Sequence, residues 1–478
     1  MSYKFGNAFS ELMKIRNVDD DPKEEIEIKK SKTTMYKTPI KIEEVISEAL
    51  AARAVAANDL WELKTGRRQK IFVDTEAAAA LCSLGTPMTQ KKDEDGEYKS
   101  IPYAANFAQM VSITQPWECK DGKWFLPHFN LPNLEKRVLD VLHCEKTPES
   151  VAAAVKKWNS DHLDEAIADA RACGGIVYSP EDWLKTPQGK YLASKPVVEI
   201  EKIADSAPEP LPKNDAAPLA DIKLLDLTRI IAGPTCGEAL TEHGAKDLMV
   251  TAPQLPQVPA FVRDSSHGKH STYLDYTKPE QKDKLIDLAK QADIFLEGYR
   301  PGSMEKHGFG AKDLSAMRPG IIYVSVNCHG TGGPYAERAG WDQVAQANTG
   351  ISYVQGQAEH THPKLIPVFL SDFLTGYLAA FGAMIALKKR ATEGGSYKVN
   401  VSLDQSCMLA LRQGLRTDDY MSSPDGISPE KYDEYAVYDN DTIYGDLKTL
   451  GPVIKMSETP CKWNGTTPEL GSSKPEWW

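Results

Sequence analysis

Residues 222–251 read IKLLDLTRIIAGPTCGEALTEHGAKDLMVT. Three textures follow one another in this run. IKLLDL (222–227) is a short apolar strand. Residues 235–243 are spaced as a helix, and Gly244 behind them is a stop signal. KDLMVT (246–251) is strand again. Strand, helix and strand in about thirty residues make a βαβ unit. The same alternation continues downstream, with strands predicted at 293–297 and 321–326 and helices at 278–291 and 311–317. This pattern predicts an α/β fold with a parallel, doubly wound sheet. The first turn, Asp226 to Pro234, holds no G-x-G-x-x-G, and no Walker loop occurs in the chain, so both nucleotide fingerprints are absent.

Working outward, residues 204–220 (ADSAPEPLPKNDAAPLA) are rich in Pro, Ala and Asp and read as a linker. Before it, residues 117–205 read as a small α+β unit, with a hairpin signal at Asp121-Gly122 and helices near 148–158 and 161–173. Earlier still come an alanine-rich helix from Val45 to Lys64, a strand at Lys70–Val73, and a helix from Glu76 to Leu84. Beyond the alternating region, Phe373 to Leu387 reads as a buried helix of small residues. The stretch Leu63–Val73 echoes Lys389–Val401, and Pro196–Ile200 echoes Pro452–Met456, so the chain reads as two partial copies of one unit. The expected division is a charged segment 1–35, a first partial copy 36–203, the linker 204–220, a second half 221–415, and a C-terminal segment 416–478.

The chain has 478 residues, enough for more than one hydrophobic core. Its formal net charge of −11 argues against general binding to nucleic acid or anionic membrane. None of its eight cysteines forms a C-x-x-C pair, which fits reduced, mostly buried thiols and a cytoplasmic location. No apolar run appears long enough to span a membrane. The start lacks a signal-peptide core and turns acidic at Asp19-Asp20-Asp21, and the end matches no anchoring tail.

Several side chains could carry chemistry. Pro234 suits the first helical position, where spare N–H groups can bind an anion with help from Arg229, although spacing alone favours a plain strand-to-helix turn. Arg300 and Lys306 follow a strand and could meet a phosphate, although each alone is more often a solvated surface charge. The loop Gly330–Pro334 could admit a ligand to its backbone or be a plain turn. Asp372 precedes the small-residue helix. One reading makes it the helix N-cap. The other makes it a carboxylate that the helix dipole keeps ionised, able to attack an acyl carbon. The two are compatible. His360 and His362 have no partners completing a metal site, and Cys328 and His329 look isolated. No metal is expected.

Taken in order, "LLDLTRIIAGPTCGEALTEHGA", "LEGYRPGSMEKHGFG", "GTGGPYAERAGWDQVAQANTGIS", "LSDFLTGYLAAFGAMIALKKR" and "GGSYKVNVSLDQS" resemble family III CoA-transferases, the CaiB/BaiF group that includes α-methylacyl-CoA racemases. The front half, from "LWELKTGRRQKIFVD" to "SKPVVEI", resembles the later part of the same family, as in fungal members with two partial copies. The resemblance implies a Rossmann-like large domain and a smaller α+β domain. It implies that Asp372 is the catalytic nucleophile, and that Arg229, Ala232, Lys269, Tyr299 and Lys306 contact coenzyme A. No cofactor would be held permanently. The partners would be an acyl-CoA and a carboxylic acid acceptor. Family members form interlocked homodimers, but two partial copies could supply both halves in one chain. Racemases of the family carry His where this chain has Trp341, and indole is no base. CoA transfer is therefore the leading expectation. An acyl-CoA racemase or isomerase and a non-catalytic acyl-CoA-binding protein are the alternatives.

Overall fold

In the computed structural model the described residues are 3–17, 24–32, 34–83 and 89–478. The acidic run Asp19–Asp21 and the expected helix end at Leu84 lie outside them. The largest sheet has seven strands: β1 (Glu199–Ala204), β2 (Lys223–Leu227), β3 (Lys246–Thr251), β4 (Lys269–Tyr273), β5 (Ile294–Glu297), β6 (Ile322–Asn327) and β7 (Ser396–Ser402). Their order is β4-β3-β2-β5-β6-β7-β1. All pairs are parallel except β7 with β1. The chain leaves β2 in one direction and returns from β5 in the other. This order reversal makes a crevice at the carboxyl ends of β2 and β5, where open α/β sheets bind ligands.

The predicted strands and helices of this half appear within a few residues of their expected ends. Strand β4 was not anticipated. Its sequence, KHSTY, is polar, and hydrophobic patterning does not detect a strand that buries Lys269, Ser271 and Thr272.

The helices that build the site are α1 (Ile42–Thr65), α2 (Ala105–Ile113), α3 (Pro132–Leu142), α4 (Ala232–Thr241), α5 (Asp342–Thr349), α6 (Leu370–Glu393) and α7 (Leu403–Arg412). Helix α6 corrects one expectation: by length and composition it could cross a membrane, but its apolar stretch is wholly buried inside the protein. Gly376 and Gly382 explain the close fit. A Cβ on Gly376 would stand 2.7 Å from the Ala232 carbonyl oxygen of α4, and one on Gly382 would stand 2.6 Å from Val399 of β7.

The strand pairing beside α6 and beside α1 is alike. Helix α6 leads into β7 and α7. Helix α1, also 24 residues long, leads into strand Ile71–Asp74 and helix Thr75–Ala80. Strand β7 has a parallel neighbour, β6, and an antiparallel one, β1. Strand Ile71–Asp74 likewise has Ile26–Lys29 in parallel and Lys455–Met456 antiparallel. In each sheet the antiparallel neighbour comes from a distant part of the chain, one of the two stretches whose sequences echo each other. Helices α1 and α6 pack against each other at the centre.

Candidate active site

The crevice is a cleft of about 280 Å³. Its floor is Asp372, Ala232, Gly233, Trp341 and Cys328, and its mouth carries Arg229, Tyr299, Arg300 and Arg338. One wall comes from the front of the chain: Leu131, Asn133 and Leu134, at the start of α3.

Asp372 is not the N-cap of α6, which corrects that reading. The helix begins at Leu370, Phe369 is the cap, and Asp372 is the third residue in. The capping carboxylate comes from another helix. Asp342, the first residue of α5, accepts from the Ser371 amide at 2.8 Å and the Ser371 hydroxyl at 2.6 Å. Its second oxygen accepts from the Gln346 amide nitrogen at 2.6 Å. This satisfies spare N–H groups at the start of α6 and leaves the Asp372 side chain free. Among the described residues the Asp372 carboxyl has no ion-pair or hydrogen-bond partner, and the residue is 6% exposed, at the cleft floor.

The electrostatics follow from that arrangement. Burial, and then the neighbouring Asp342 carboxylate, push the Asp372 carboxyl well above the usual carboxylate range. The expectation that the helix dipole keeps it ionised is therefore corrected. Asp342 is also raised by burial, but the Ser371 and Gln346 donors oppose the shift. Of the two, Asp342 has donors that favour its anion, and the Asp372 side chain has none.

Helix α4 starts at Ala232, so Pro234 is its third residue rather than its first, still within the first turn, where a missing N–H costs nothing. A Cβ on Gly233 would meet Thr228 at 2.4 Å, so only glycine lets this turn close. Two apolar residues of the cleft wall carry strained backbone, Ile230 at φ 81° and Leu131 at φ 66°. Conformations of this kind cost about 1–3 kcal/mol each and cluster at functional sites.

Arg229 donates to the Pro256 carbonyl at 2.9 Å, with its guanidinium 5.9 Å from the Tyr299 ring centre. Arg338 pairs with Asp164 of the front half at 2.5 Å. Lys306 ends the short helix Ser303–Lys306, is exposed, and does not line the cleft. Lys269 does not line it either. Its ammonium is fully buried, 3.0 Å from Asp226 and 3.6 Å from Asp247, and it donates to the Pro234 carbonyl at 2.8 Å. It secures the first turn of α4 from below.

Trp341 closes the floor. Behind it His128 stacks on the indole at 4.9 Å and bonds Gln343 at 3.0 Å. Burial pulls His128 down to about 4, so it is neutral at ordinary pH. His329 is not isolated: its Nδ1 lies 2.9 Å from Asp404. His362 stacks on Trp124, and neither it nor His360 joins a group of three potential metal ligands among the described residues.

Sequence reasoning missed Asp342, Arg338 and the Leu131–Leu134 wall as parts of the site. The AGWD motif held a signal for Asp342. Nothing local marked the wall, which lies more than 200 positions from Asp372 along the chain.

Comparison with known proteins bears on this geometry. A profile of CoA-transferase family III matches residues 219–437. An acyl-CoA transferase of Gibberella moniliformis is 34% identical over 418 residues, spanning 76% of this chain and 73% of that protein. The acetyl-coenzyme A transferase nodX of Hypoxylon pulicicidum is 30% identical, spanning 76% and 68%. Among solved structures, Rv3272 from Mycobacterium tuberculosis is 30% identical with a TM-score of 0.37, covering 41% of this chain and 57% of that one.

Proposed function

The chain belongs to CoA-transferase family III, and on that premise we propose that it moves coenzyme A from an acyl-CoA to a carboxylic acid through covalent intermediates on Asp372. The observation that carries this reading is a single unpartnered carboxyl at the floor of a cleft with arginines at its mouth.

An ionised Asp372 oxygen attacks the thioester carbon. The C–S bond breaks, giving a mixed anhydride and the CoA thiolate. The thiolate attacks the Asp372 carbonyl, the anhydride C–O bond breaks, and the first acid leaves as its carboxylate. The acceptor carboxylate attacks this aspartyl-CoA thioester, releasing the thiolate and forming a second anhydride. Thiolate attack on the acceptor's carbonyl yields the new acyl-CoA and restores Asp372. Splitting one transfer in this way gives each step a good leaving group. A buried floor shields the anhydride from water. The raised basicity of Asp372 makes its ionised form a stronger nucleophile, provided that the bound substrate favours loss of its proton.

Arg229 and Arg300 at the mouth supply charge for the CoA phosphates. The free N–H groups of Ala232 and Gly233 at the start of α4 face the same cleft and can steady a developing oxyanion. The front segment 36–203 acts as the partner half, so one chain forms one complete cleft. Racemisation is disfavoured by Trp341, because among the described residues no imidazole lines the cleft, and His128 is buried behind the indole.

Incubation with an acyl-CoA and borohydride tests the reading. Reduction of the aspartyl thioester should convert Asp372 to homoserine, seen as a mass change in its peptide. An unchanged Asp372 peptide in protein that turns over substrate rules the mechanism out.

A further inference from the structure

A second cavity lies across Leu131 from the cleft. It measures about 600 Å³ and is lined by Tyr103, Phe107, Met110, Phe129, Val258 and Ala260 among others. Leu131 is a wall of both spaces. We propose that this cavity receives the acyl chain of the substrate, and that the substrate class is an acid with an extended, uncharged apolar tail. The inference rests on the CoA-transferase reading and adds the substrate class to it.

Five observations support the assignment. The cleft alone, at about 280 Å³, is less than half the cavity's volume, so the added space lies beyond Leu131. Leu131 itself is held at φ 66°, a strained conformation for leucine, at the point where the two spaces meet. The charges that line the cavity are already neutralised: Lys146 pairs with Glu135 at 2.5 Å, and Arg263 with Asp264 at 2.8 Å. A dicarboxylic tail would find no cation committed to it there. Finally, helix α2 above the cavity is apolar yet buries only Ile113, with Val111 at 51% exposed. An apolar helix with little beneath it fits a space that an apolar ligand fills. An aromatic ladder, Tyr103 to Phe107 at 4.5 Å, Phe107 to Phe261 at 6.5 Å and Phe261 to Phe369 at 6.0 Å, runs from the cavity to the cap of the helix that carries Asp372.

The test uses S-alkyl-CoA thioethers of rising chain length, which cannot acylate Asp372, with binding to the full-length protein measured by calorimetry. Affinity should rise roughly tenfold for every two methylenes buried. The substitution Ala260→Phe should flatten that slope while the shortest thioether binds as before. Asn106→Trp, at an exposed position of α2 facing the same cavity, should do likewise and guards against misfolding of the first variant. An affinity independent of chain length overturns the proposal, as does a slope that both variants leave intact. Self-association that covers α2 without any chain-length dependence also overturns it, in favour of a second copy as occupant. Failure of the two ideas looks different. A chain-length slope without turnover sinks the transfer reading alone, and turnover with a flat slope sinks the acyl cavity alone.

Discussion

The start of α6 and the start of α1 are the same piece of architecture put to different uses. Both helices have 24 residues, so their third residues correspond: Asp372 in α6 and Glu44 in α1. Each is a carboxylate in a first helical turn. Glu44 is bridged by Arg416 at 2.7 Å and Lys30 at 3.8 Å. Asp372 faces a cleft with no partner. One turn further on, Gly376 lets α4 press against α6, whereas its counterpart Glu48 accepts the Gly6 and Phe9 amides at 2.6 and 2.9 Å and the Tyr3 hydroxyl at 3.1 Å. The N-terminal segment therefore covers α1 where α4 covers α6. A carboxylate becomes structural when cations and amides satisfy it. It stays available for chemistry when its helix is capped by another group and its own oxygens are left alone.

The largest expected effect breaks this symmetry outright. Asp372→Asn should lower transfer by at least about 10⁴-fold, because the nucleophile is lost. Glu44→Gln should change transfer less than about twofold. Equal losses in the two variants, read in a steady-state assay, would dissolve the distinction.

Asp342 offers a sharper, smaller test. Attack needs ionised Asp372, whose proton is held tightly by burial and by the Asp342 charge. The rate should therefore rise with pH through a value above the usual carboxylate range. Asp342→Asn removes the like charge, so the rising limb should move to lower pH. Its amide oxygen still accepts at the helix cap, so stability should fall by only about 1 kcal/mol. A limb that stays put in a pH–rate profile contradicts the coupling.

The smallest effects concern packing. Gly376→Ala introduces a Cβ 2.7 Å from the Ala232 oxygen and Thr235, and should cost about 1–3 kcal/mol by denaturant unfolding. Glu48→Ala orphans the Gly6 and Phe9 amides, but both residues are partly exposed, so water can replace the lost acceptor. Its cost should be about 1 kcal/mol.

Local signals in the sequence revealed the strand–helix alternation, and the ordered family motifs, not local position, singled out Asp372 as a nucleophile. What they missed was set at a distance. Asp372 reads as a cap because Asp before a helix usually is one, and the true cap, Asp342, sits thirty positions earlier on another helix. The family resemblance implies Lys269 as a coenzyme A contact, yet two aspartates hold it inside the protein. Leu131 carries no mark at all. Its place in the wall depends on how the front half meets the sheet.

The central claim is that Asp372 exchanges oxygen with the acids it serves. Turnover with an acceptor carboxylate carrying heavy oxygen should leave that isotope in the Asp372 side chain, because the second anhydride breaks on the acceptor's side. The peptide bearing Asp372 should grow heavier while the peptide bearing Glu44 does not. Turnover that leaves the Asp372 peptide unlabelled would contradict the account.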